Sequence, residues 1–112
     1  MALRHVYNFN SLVVSPGKAM IDWVNTLYTD SIESYTEHLT EDGASVYLIP
    51  EFESPDDVSE WLKDNFHFIF LQELAGWTED ESSFPPITWE NFNAFCRVSY
   101  QSMVHLISDE EE

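Results

Sequence analysis

The 112-residue sequence is poor in bases. Lys and Arg number 4 against 21 Asp and Glu, giving a formal net charge of -17 and a pI of about 4.1. So few cations leave nothing to neutralise a phosphate backbone or an anionic bilayer, so neither direct nucleic-acid binding nor membrane binding is expected. Glycine is scarce too. Gly17, Gly43 and Gly76 are the complete set, which rules out a glycine-rich phosphate loop. Cys96 stands alone, so the chain can form no internal disulfide, and four scattered histidines supply no pair at zinc-ligand spacing. No apolar run approaches the roughly 18 residues of a membrane span. The opening MALRHVYNFN lacks the apolar core of a signal peptide, so a cytoplasmic location is the expectation.

What is present is a well-supplied interior. Hydrophobic residues make up 44% and aromatics 15%, enough to close a core despite the charge. The length fits one compact domain over residues 1–108, followed by a disordered acidic tail at 109–112. The charge is uneven. Between Asp30 and Glu81 lie 15 acids and one base, Lys63, whereas the first 29 residues hold Arg4 and Lys18 against Asp22.

Periodicity sets out the elements. Residues 3–14 read as one strand, with Leu3, His5, Tyr7, Phe9 and Val13 on one face and Val6, Leu12 and Val14 on the other. Ser15-Pro16 signals a helix start, with the helix running to about Tyr28. Residues 30–45 are ambiguous and fit a hairpin of strands at about 35–40 and 45–50, with Pro50 at a strand end or sheet edge. Ser54-Pro55-Asp56-Asp57 starts a second helix running to about Ala75 and stopped by Gly76. Val58, Trp61 and Leu62 form one apolar stripe on it, and Phe66, Phe70 and Leu74 form another. A helix apolar on two sides is central, kinked or packed on another subunit, which points to a homodimer through Phe66, Phe70 and Leu74. Thr88 caps a third helix over 89–107, with Trp89, Phe92, Cys96, Tyr100, Met103 and Ile107 on its apolar face. The order β-α-β-β-α-α predicts an α+β fold, a small antiparallel sheet of two or three strands packed by about three helices.

The segments VYLIPEFESPDDVSEWLKDNF, ELAGW and SMVHLIS resemble small acidic bacterial proteins of unknown function. The resemblance covers about the last two-thirds of the chain and implies no activity or site.

The residues offer few chemical constellations. Cys96 reads as a small buried hydrophobe. Glu37, His38, Glu41 and Asp42 cluster at a turn and are the nearest approach to a carboxylate metal site, although a solvated hairpin needs the same residues. His67, inside FHFIF, reads as a packed side chain requiring a partner such as Gln72 or Glu73. His105 is expected on the polar side of the third helix, and His5 on a strand face. Asp56, Glu60 and Asp64 recur every four residues, which places three like charges on one helix face. Trp77 and Phe84, beside Pro85 and Pro86, could add an aromatic recognition patch. These features favour a non-catalytic module, without cofactor, that engages a basic partner through its acidic 30–81 region. A carboxylate-based metal-dependent enzyme is the alternative, as is adaptation to high salt with no charge-specific partner.

Overall fold

The computed structural model describes residues 2–27 and 44–108. Within them the elements are β1 (Ala2–His5), β2 (Phe9–Pro16), α1 (Lys18–Leu27), β3 (Ser45–Pro50), α2 (Pro55–Ala75), a 3-10 turn at Glu81–Ser83, α3 (Trp89–Phe95), β4 (Cys96–Gln101) and β5 (His105–Ser108). The fold is α+β. β3, β2 and β4 form an antiparallel sheet in that order, and β1 and β5 form a separate two-stranded ribbon. The strand expected at about 35–40 and the acidic tail lie outside the described residues.

β2 is the central strand. Leu12 faces Tyr47 on one side and Tyr100 on the other, and Val14 faces Ser45 and Val98. Directly opposed residues share a face, so Leu12, Val14, Ile49 and Cys96 lie on one side of the sheet. They join Met20, Val24, Val58, Ile69, Phe70, Leu74 and Phe92 in a single buried cluster. On the opposite side, Val46 and Leu48 remain exposed.

The helix caps follow from local chemistry. The Ser54 hydroxyl accepts from the Asp57 amide, and the Thr88 hydroxyl accepts from the Asn91 amide. Each satisfies an amide that has no partner in the first turn. Gly76 ends α2 in a right-handed conformation, φ -66°, with its N–H donated to the Gln72 carbonyl. α1 begins two residues later than Ser15-Pro16 suggests. Pro16 is the last residue of β2, and the Gly17 carbonyl accepts the helix's first bond, from Ile21. A Cβ on Gly17 would lie 3.1 Å from the Ala94 carbonyl oxygen, so the close approach of this corner to α3 favours glycine.

Two expectations are corrected. The 89–107 helix stops at Phe95, and the chain continues as β4 and β5. The spacing 92-96-100 is a multiple of both four and two, so it suits a helix face and a strand face equally. The long open ladder against β2 decides for strand. Cys96 is buried as expected, but as the first residue of β4. The 3–14 strand is divided by residues 6–8. Between the pairs His5–His105 and Ser11–Gln101, one strand holds five residues and the other three. The surplus is absorbed at Tyr7–Asn8, where Asn8 takes φ 72°, a conformation asparagine tolerates better than most residues.

Asn10 closes this bend. It is 2% exposed, and its Oδ1 accepts from the Phe52 amide at 2.8 Å and from the Tyr100 hydroxyl at 3.0 Å. Its Nδ2 donates to the Ser102 carbonyl at 3.0 Å. One buried amide thereby joins β2, β4 and the segment after β3.

The second stripe of α2 is covered within the chain. Phe70 and Leu74 are fully buried, with Phe70 lying 5.8 Å from Phe92 and 5.6 Å from Phe95 between ring centroids. Phe66 meets Trp89 edge-on and Phe92 at a tilt, each at 5.6 Å between centroids. Of the three residues expected to carry a homodimer, Phe70 and Leu74 are buried within their own chain and Phe66 is half-buried. The helix is apolar on two sides because α3 and the sheet cover both. Asn65, where the stripes meet, donates to the Trp61 carbonyl at 2.8 Å without breaking the helix.

Candidate functional site

Three features compete for a functional role. The first is the acidic row of α2. Asp56, Glu60 and Asp64 are all exposed, and among the described residues none makes an ion pair. Asp56 and Asp57 sit in the first turn, where the helix dipole favours negative charge. Glu60 and Asp64 lie beyond that help. Each four-residue step sets like charges together at a cost of about 0.2–0.5 kcal/mol per pair.

The aromatic pair is not part of this face. Trp77 lies past the C-terminal end of α2, roughly 30 Å along the axis from Asp56. Trp77 and Phe84 are both half-buried and pack against the core. Phe84 meets Trp23 edge-on at 6.3 Å, and the Trp23 indole donates to the Ser83 carbonyl at 2.9 Å. Asp80 organises the turn between them. Its carboxylate accepts from the Ser82 and Ser83 hydroxyls and the Ser82 amide, and these bonds, the Ser82 hydroxyl's above all, hold its pKa below the usual carboxylate range.

The second feature is a cleft of about 430 Å³ between the start of β3 and the end of α2, lined by Ser45, Tyr47, Gln72, Glu73 and Trp77 among others. The Tyr47 hydroxyl donates to Glu73 Oε2 at 2.5 Å. Burial, reinforced by Glu73, raises the Tyr47 pKa well above that of an ordinary phenol. Burial likewise pushes the Cys96 thiol up from the usual 9.0 to about 12, with the Glu73 charge adding to the effect. A protonated thiol is a poor nucleophile and a poor metal ligand, and Cys96 lies behind the cleft, whose own lining offers the hydrogen-bonding groups of Tyr47, Gln72 and Glu73.

These shifts set the alkaline response. The fold keeps both groups protonated, while the unfolded chain releases their protons at lower pH. Their contribution to stability is therefore complete below about 9 and is lost as pH rises, for Cys96 from 9.0 toward about 12 and for Tyr47 from 10.0 upward. The thermal unfolding midpoint should decline across that window, and Cys96 should resist alkylation at neutral pH until the chain unfolds. Rapid alkylation of the native protein would show that the thiol is hydrated.

The third feature could not be read from the sequence. His5 and His105 are directly opposed across the β1–β5 ladder, with ring centroids 5.2 Å apart, and the Tyr7 ring lies 4.4 Å from His5. The expected helical position of His105 is therefore corrected. Reading residues 89–107 as a helix concealed a pairing that spans almost the whole chain. Among the described residues no third histidine, cysteine or acid joins this pair, and no group of three or more such side chains could hold a metal ion. Glu37, His38, Glu41 and Asp42 lie outside the described residues, as does His38's neighbourhood. His67 is half-buried against Phe68, with centroids 4.2 Å apart, while Glu73 is engaged by Tyr47 instead.

No helix among the described residues is long and apolar enough to cross a membrane. Comparison with protein-family models, with curated proteins and with solved structures finds no match to this chain.

Proposed function

We propose that this protein is a non-catalytic binding module that engages a basic protein through the acidic outer face of α2. One observation carries the reading: Asp56, Glu60 and Asp64 stand exposed in a row without an ion-pair partner among the described residues. Folding gains nothing from that row. Its Glu60 and Asp64 charges repel along the helix, whereas a cationic surface laid across them would relieve the repulsion. Opposite charge would also speed encounter, and binding would weaken with salt once the Debye length falls to about 10 Å or less.

Affinity capture from cell lysate at low and at moderate ionic strength tests this. Basic proteins should be retained at low ionic strength and released as salt rises. The Glu60→Gln/Asp64→Asn variant should lose them while unfolding no earlier than the parent, because removing the repulsion adds roughly 0.5 kcal/mol of stability at low salt. Failure to retain any basic protein at either ionic strength would remove the proposal's support.

A further inference from the structure

The β1–β5 ribbon is unlike the rest of the surface. Two strands of four residues do not hold together in water unaided, and among the described residues β1 pairs only with β5. Leu3 opposes Ile107 and His5 opposes His105, so these four side chains share one face. Leu3 is 67% exposed and Ile107 63%, and Tyr7 and Met103 beside them are more than half exposed. The open parts of Leu3, Tyr7, Met103 and Ile107 come to roughly 500 Å², near the upper limit for a patch on a monomer. The His5 and His105 rings between them bring the face closer to the ~800 Å² that each partner gives a standard interface.

Charge selects the occupant. In a chain of net charge -17, residues 2–9 and 101–108 contain no acid, the four acids 109–112 following β5 in sequence, and the face itself carries only His5 and His105 as titratable groups. Two copies repel each other over most of their surfaces, and among the described residues this face carries no carboxylate to oppose another. We infer that the ribbon is the contact surface of a homodimer, the Leu3–His5–His105–Ile107 face of one copy packing on the same face of a second across a two-fold axis. Such an isologous contact closes on itself and leaves no copy of the patch uncovered. This inference does not rest on the acidic face of α2, and the two respond oppositely to salt. Screening the -17 charges tightens the dimer and weakens capture of a basic partner.

The rival occupant is the chain's own segment 28–43. It re-enters the fold at Ser45, opposite Val14, whereas the ribbon departs from Phe9, opposite Pro50, about 17 Å along the sheet. Sedimentation over a range of protein concentrations, combined with hydrogen exchange of the β1 and β5 amides, distinguishes the cases. The expected result is a monomer–dimer equilibrium that tightens with salt, with ribbon amides protected only where dimer forms. Ile107→Glu should weaken the dimer at least about tenfold. Leu48→Glu, on the exposed face of the three-stranded sheet, should leave it unchanged, and the circular dichroism of both variants should match the parent. A monomer at every concentration would overturn the inference, whether its ribbon exchanges freely or is protected throughout, the latter outcome assigning the patch to segment 28–43. A dimer that survives Ile107→Glu in a folded protein would overturn it as well.

Discussion

Phe70→Ala is expected to lower the unfolding free energy by about 3–5 kcal/mol. Phe70 is fully buried, and its ring lies edge-on to both Phe92 and Phe95. The truncation removes the transfer energy of a phenyl group and leaves a cavity that three elements must collapse to fill. For a domain whose total stability is on the order of 5–15 kcal/mol, that loss brings unfolding close to ambient temperature. Phe68 provides the control. It stands two residues earlier on α2 and is 67% exposed, so Phe68→Ala should cost less than about 1 kcal/mol. Urea unfolding of the two variants measures the difference. Equal losses would mean that α2 presents a different face to the core. The Phe70→Ala loss should also be independent of protein concentration, because the side chain is covered by its own chain.

Asn10→Ala is expected to cost about 3 kcal/mol for a smaller change in volume. It leaves the Phe52 amide, the Tyr100 hydroxyl and the Ser102 carbonyl without the partner that now joins them. Asn10→Asp should not rescue the loss. The carboxylate keeps the acceptor but cannot donate to the Ser102 carbonyl, and it places a charge where exposure is 2%. Because Asn10 holds the bend from which the ribbon springs, amides of β1 and β5 should exchange faster in the Ala variant before the α2 amides are affected. Loss of protection in α2 first would show that Asn10 supports the core generally and not the bend.

The parts of this fold that the sequence disclosed are those governed by neighbours a few residues apart. Ser54 and Thr88 announce their helices because a hydroxyl reaches an amide only three residues on. The Pro55–Ala75 helix and the Ser45–Pro50 strand emerge for similar reasons of local period and breaker placement. The parts that escaped depend on partners far along the chain. β4 pairs with β2 across 80 to 90 residues, and no local pattern separates Cys96, Val98 and Tyr100 as a strand from the same residues as a continued helix. His5 with His105, and Asn10 with Ser102 and Tyr100, become visible only once that pairing is known. The acidic row was fully legible, because Asp56, Glu60 and Asp64 need only the helix beneath them. Its separation from Trp77 was equally implicit in the length of α2. The burial of Phe70 and Leu74 was not, since a second apolar stripe looks the same whether α3 or another subunit covers it.

The proposed function requires the α2 face to act as a defined surface and not merely as a share of the total charge. The direct measurement is the dissociation constant of the captured basic partner for three proteins: the parent, Asp56→Asn/Glu60→Gln/Asp64→Asn, and Glu79→Gln/Glu81→Gln/Glu90→Gln. The two variants lose the same number of exposed acids, from α2 in one and from the turn and α3 in the other. The α2 variant should bind at least about tenfold more weakly, while the second variant should stay within about threefold of the parent. Equal weakening of both would contradict the proposed function, showing that the partner responds to bulk charge alone.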